Sequence, residues 1–100
     1  MLRITLPKRD GIPVFILEGR LAGLWVKELL RVTRDIGPNT NCVFDIEDVG
    51  YVDRCGEEAL KWLNRSGATF IAKTVYGNDL CNRLRLRRTL ALNQVPSKSQ

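Results

Sequence analysis

Cys42-Val43-Phe44-Asp45-Ile46-Glu47-Asp48-Val49-Gly50-Tyr51-Val52-Asp53-Arg54-Cys55-Gly56 is the stretch on which the reading of the fold turns. Cys42 to Glu47 is rich in strand formers and too short for a helix, so it reads as a strand at the centre of a sheet. Asp48 to Asp53 reads as the loop beyond it. A helix follows from about Cys55 or Gly56 to Ser66, with Ala59, Leu60 and Leu63 on one face and Gly67 as its terminator. Asp53 or the residue after it is placed to cap that helix, and Glu57 and Glu58 suit the positive end of its dipole.

Working outward, Leu2 to Leu6 alternates as a short strand, and an Asp10-Gly11 turn leads into a second strand from Pro13 to Glu18. The two predict an antiparallel hairpin. Gly19-Arg20-Leu21 reads as a break, after which Trp25, Leu29, Val32 and Ile36, widened by Val26 and Leu30, form the stripe of an amphipathic helix. That helix is expected to stop at Gly37-Pro38. Downstream, Ala68 to Lys73 reads as a fourth strand. A Tyr76-Gly77-Asn78-Asp79 turn is expected to open a third helix that packs through Leu80, Cys81 and Leu84. The order ββαβαβα predicts an α/β fold with a mixed sheet in one layer-packed domain, residues 1–95, followed by a polar tail, 96–100, expected to be disordered. Thr89 to Val95 is compatible with either a helical turn or an added edge segment.

Composition narrows the function classes. A chain of 100 residues with 44% hydrophobic and 27% charged content fits one core. No apolar run approaches the ~20 residues that span a bilayer, and the start lacks signal-peptide order, so a cytoplasmic location without membrane insertion is expected. Cys42, Cys55 and Cys81 form no metal or redox spacing, and histidine is absent, which removes the commonest general base and zinc ligand. No metal or other cofactor is expected. The net charge of +5 is local: without Arg83, Arg85, Arg87 and Arg88, twelve basic residues face eleven acidic ones. That run reads first as a solvated face or tail.

In an open sheet with parallel strands, a partner or ligand site lies beyond the carboxyl ends of those strands. Asp45, Asp48, Asp53, Arg54, Cys55 and Gly56 are the residues assigned to that edge. There the sequence resembles the STAS family, in particular bacterial anti-sigma factor antagonists: a hydrophobic strand ending in Asp, a short loop, then Asp-Ser-Ser-Gly. Val14 to Leu21 resembles the family's second strand and following Gly-x-Leu, and Ser66-Gly67-Ala68-Thr69-Phe70-Ile71 its step into the next strand. The resemblance implies a non-enzymatic regulatory module whose helix start contacts a protein partner, an anti-sigma factor that is also a serine kinase. The contact surface it implies is Asp53, Arg54, Cys55, Gly56, Glu57, Ala59 and Leu60. The sequence departs from the pattern at the phosphoacceptor, where Cys55 replaces the second Ser. Arg54 replaces the Ser before it, Ala22 stands where relatives often carry Asp, and Glu57 replaces an apolar residue. Phosphorylation at that position is therefore not carried over.

Rival readings attach to the same residues. Cys55 at a helix start beside Arg54 has the setting of a reactive or redox thiol, opposed by Asp53, Glu57 and Glu58; the plainer reading is a small contact residue in place of Ser. Asp45 and Asp53 suggest a Mg²⁺ site or, more simply, backbone capping. Trp25 and Trp62 suggest an aromatic surface or ordinary packing. Within the same fold, an accessory subunit of a lipid or anion transport ATPase would turn the arginine run toward an acidic protein or membrane. A homodimer is compatible with either role, and nucleic acid is not expected as a partner, because aromatic residues do not interleave with the arginines.

Overall fold

A computed structural model describes residues 1–6, 13–34 and 42–89 of the chain. Its elements are β1 (Leu2–Thr5), β2 (Val14–Leu21), α1 (Leu24–Arg34), β3 (Val43–Val52), α2 (Arg54–Arg65), β4 (Thr69–Ile71) and α3 (Val75–Leu84), in the expected order. The strands lie in the order β1-β2-β3-β4, with β1 antiparallel to β2 and the other two pairings parallel. The Asp10-Gly11 turn, Ile36, the Gly37-Pro38 stop and residues 90–100 lie outside the described residues.

Three phenylalanines hold the centre of the sheet. Phe15, Phe44 and Phe70 are register partners across β2, β3 and β4. Their rings stack with centroids 4.9 and 5.8 Å apart, and all three are buried. Burying rings of this size supplies much of the area that holds a small core together. Leu17, Leu21, Ile46, Val49 and Val52 extend the same buried cluster, which the helices join through Val26, Leu29, Ala59, Leu60, Leu63, Leu80 and Cys81.

The largest departure from the sequence reading is at residues 48–53, expected to be a loop. β3 runs on to Val52, and β2 runs through residues 19–21, where a break was expected. The pairing passes from Ile16↔Asp45 to Glu18↔Asp48, and from Gly19↔Val49 to Arg20↔Tyr51. At each step β3 carries one extra residue, the signature of a β-bulge. The bulges bring Ile46, Val49 and Val52, spaced by three, into the core, so strict alternation is lost while the strand continues. The Asp45 carboxylate accepts from the Glu47 amide at 3.0 Å within the first irregularity. Opposite them, Gly19 has φ +108°, a conformation favouring glycine, and a side chain there would run into the Met1 carbonyl oxygen.

Helices also differ in detail. α1 buries Val26, Leu29 and Thr33, so its core stripe is turned by about one residue from the expected one, and Trp25 is 39% exposed. α2 begins one residue early, at Arg54, with Asp53 as cap; it ends at Arg65 with Ser66 as its C-cap, one residue short of the expected end, and Gly67 follows as the expected terminator. β4 is shorter than residues 68–73. Tyr76-Gly77-Asn78-Asp79 is part of α3 and not a turn before it. Thr74 supplies the cap, its hydroxyl accepting from the Gly77 amide at 3.0 Å, and the helix starts at Val75. Beyond α3, an edge segment forms sooner than residues 89–95. Phe70 donates to the Arg87 carbonyl at 2.8 Å and accepts from the Thr89 amide at 2.9 Å, in parallel pairing.

Candidate protein-docking site

The ends of β2 and β3 meet the starts of α1 and α2 at Asp53. Its backbone is extended, its amide donates to the Leu21 carbonyl at 3.2 Å, and its carbonyl accepts from Glu57 at 2.9 Å. One carboxylate oxygen accepts from the Gly56 amide at 2.8 Å and the other from the Gly23 amide at 3.0 Å. The Gly56 amide, followed by that of Gly23, holds the carboxyl below the usual carboxylate range. A single side chain thus fixes the first turn of α2 against the entry to α1.

Gly56 lets that turn press on the strand ends. It is buried, and a β-carbon there would collide with the Leu21 carbonyl oxygen and lie 2.7 Å from Val52 Cγ1. Tyr76 closes the same corner, its hydroxyl accepting from the Val52 amide at 2.8 Å.

The sequence-derived contact residues divide between surface and interior. Arg54 and Cys55 are exposed, and Asp53 and Glu57 are half-buried. Glu57 pairs with Arg83 at 3.0 Å, and Arg83 also pairs with Asp79 at 3.2 Å. Gly56, Ala59 and Leu60 are interior residues, Leu60 entirely so. Their part is to seat the helix; of the three only Ala59 reaches the groove beside Cys55. Asp45 and Asp48, expected at the sheet edge, lie inside β3 because the strand is longer than its local pattern suggested. Asp45 and Asp53 both bind backbone amides.

Sequence reasoning missed the neighbours of Cys55. A groove of about 440 Å³ runs between α1 and α2, lined by Val26, Leu30, Cys55, Ala59 and Trp62 with Arg54 and Glu58. Trp62 is 48% exposed; Trp25 does not line the groove. Leu24, which follows the Gly23 bound by Asp53, and Val75 are also exposed, and the Arg20 guanidinium lies 4.6 Å from the centre of the half-exposed Tyr51 ring. Of the arginine run, three members are tied into the chain: Arg83 to Glu57 and Asp79, Arg87 to the Asn64 carbonyl, and Arg88 to the Ala72 carbonyl at 3.3 Å. Cys42 and Cys81 are buried, which pushes both thiols up, while Cys55 is exposed. No described helix is long and apolar enough to cross a membrane.

The architecture is that of known proteins. It matches the crystal structure of an anti-sigma factor antagonist from Mycobacterium paratuberculosis with a TM-score of 0.66 and 16% identity, covering 90% of this chain and 88% of that one. It also matches an uncharacterized DUF3478-family protein from Shewanella loihica, described as having a SpoIIAA-like fold. The TM-score is 0.61 and the identity 10%, covering 93% of this chain and 89% of that one. The chain therefore has the STAS-type, SpoIIAA-like fold that its sequence resembled. No protein-family model matches it, and no curated protein does.

Proposed function

We propose that this chain is a non-enzymatic regulatory module, a divergent counterpart of the anti-sigma factor antagonists, that works in the cytoplasm by docking a protein partner on the start of α2. The observation that carries the reading is the double anchor of Asp53, which holds the first turn of α2 rigid while Cys55 faces outward on it. A fixed backbone with an exposed small side chain and apolar neighbours suits recognition, because little conformational freedom is lost on binding. The best occupant is an anti-sigma factor of the serine-kinase type. Residues 53–56 offer such a kinase no hydroxyl, so the contact would not be released by phosphorylation there.

An enzyme built on Cys55 has less support. The carboxylate two residues before it, Asp53, uses both oxygens to accept from amides, which is a cap's role and not a base's. An accessory subunit of a transport ATPase also has less support, since three arginines of its supposed docking run are tied to the chain's own groups.

The exposed thiol supplies the experiment. A photo-crosslinker attached through Cys55, with Cys42 and Cys81 buried, should capture the partner in cells. The same reagent on a Thr5→Cys, Cys55→Ser variant should not. Equal capture from both positions would contradict the proposal.

A further inference from the structure

The groove between α1 and α2 raises a question of chemistry that the docking reading leaves open. Its lining is mostly apolar, Val26, Leu30, Ala59 and Trp62 with the Cys55 thiol at its head, and Arg54 and Glu58 complete it. Its banks are cationic. On α1, Lys27 and Arg34 are exposed and lie just outward of Leu30 on the helical wheel; on α2, Arg54 reaches the lining itself and Arg65 lies outward of Trp62, with Glu58 set between these arginines and the apolar residues. None of the four has an ion pair among the described residues. The acids nearest these cations are already matched, Glu28 by Arg31 at 2.6 Å and the groove-lining Glu58 by Lys61 at 3.2 Å. What remains is an apolar trough between unmatched positive charges.

Resting on the reading of this chain as a protein-docking module, we infer that the groove seats an acidic amphipathic helix of the partner. A helix offering apolar side chains at i, i+4 and i+7 fills such a trough along about 16 Å, the length of an 11-residue helix like α1. Its flanking carboxylates then face Lys27 and Arg34 on one bank and Arg54 and Arg65 on the other. A second copy of this chain fits poorly, because a two-fold pairing across the groove sets the same cations against one another. An anionic bilayer would be drawn to the cations but cannot enter a concave trough, whereas a helix's side chains can.

The test uses the full chain labelled with ¹⁵N and titrated with synthetic helical peptides. One carries Leu at i, i+4, i+7 with Glu and Asp elsewhere, one replaces the acids with Lys, and one scrambles the acidic sequence. The acidic amphipathic peptide should shift amides of α1 and α2 and bind at least about tenfold more tightly than the other two. Lys27→Glu/Arg34→Glu, both at exposed positions, should weaken it about tenfold while melting like the parent. Leu30→Asp should also weaken it. Equal binding of the scrambled peptide, or no binding of any, overturns the inference. So does binding to phosphatidylglycerol vesicles that Lys27→Glu/Arg34→Glu abolishes while the peptide is ignored, or a concentration-dependent dimer that buries Trp62. A cellular partner lost on Cys55→Glu but retained by Lys27→Glu/Arg34→Glu and by Leu30→Asp would sink the groove and leave the docking reading intact.

Discussion

The carboxylate of Asp53 reaches the amide of Gly23, thirty residues away in sequence, at 3.0 Å. The bond couples the entries of two helices that grow from adjacent parallel strands, and it makes Asp53 more than a cap for its own helix. Removing the side chain frees two amide donors at once. Asp53→Ala should lower the melting temperature more than Thr74→Ala, whose side chain caps α3 through a single amide. Thermal denaturation followed by circular dichroism distinguishes the two.

The same contact sets a pH dependence. The folded-state pKa of Asp53 lies below its unfolded value of about 3.9. Its contribution is therefore present in full above the unfolded value and is lost as pH falls through the folded one. Melting curves of the parent and of Asp53→Asn should be well separated near neutral pH and converge in acid. A gap that is unchanged down to about pH 2 contradicts the assignment.

Gly56→Ala should destabilise the fold by about 1–3 kcal/mol, because the new methyl must displace both the Leu21 carbonyl and the Val52 side chain. Gly50→Ala is the matched control. Nothing lies within 4 Å of its added carbon, so its effect should stay within about 0.5 kcal/mol. Urea denaturation of both variants tests the pair.

Arg85 ends α3 in the left-handed conformation at φ 56°. Replacing it with glycine relieves that strain, and Arg85→Gly should raise stability by about 0.5–1 kcal/mol. Asn64 braces the same turn, donating to the Arg85 carbonyl at 3.3 Å and accepting from the Arg87 amide at 2.8 Å. Asn64→Ala should cost about 1–2 kcal/mol. A chemical denaturation series reads both.

Much of this was legible in sequence because it is local. The strand through Phe44, the amphipathic α2 and the cap at Asp53 each follow from residue type and spacing within one element. The rest depended on contacts between elements. Ile46, Val49 and Val52 share a face only because bulges shift β3 against β2, which no alternation rule predicts. The α1 stripe centres on Val26 and Leu29 and not on Trp25, a turn of one residue decided by packing on the sheet. Glu57 meets Arg83 from 26 residues away, which turned part of an apparently free basic run into structure. The groove beside Cys55 exists only once α1 and α2 lie side by side.

The central claim is that the exposed start of α2 is a contact surface and not a catalytic one. Calorimetric titration of the captured partner with Cys55→Ser and Cys55→Glu tests it most directly. Both variants should melt like the parent, since a small polar or acidic side chain is accommodated at a helix start. Cys55→Ser should keep parental affinity, and Cys55→Glu should lose about 1–3 kcal/mol of binding by bringing a charge into a desolvated contact. Equal affinity of the two variants, or complete loss of function in a folded Cys55→Ser, would contradict the account.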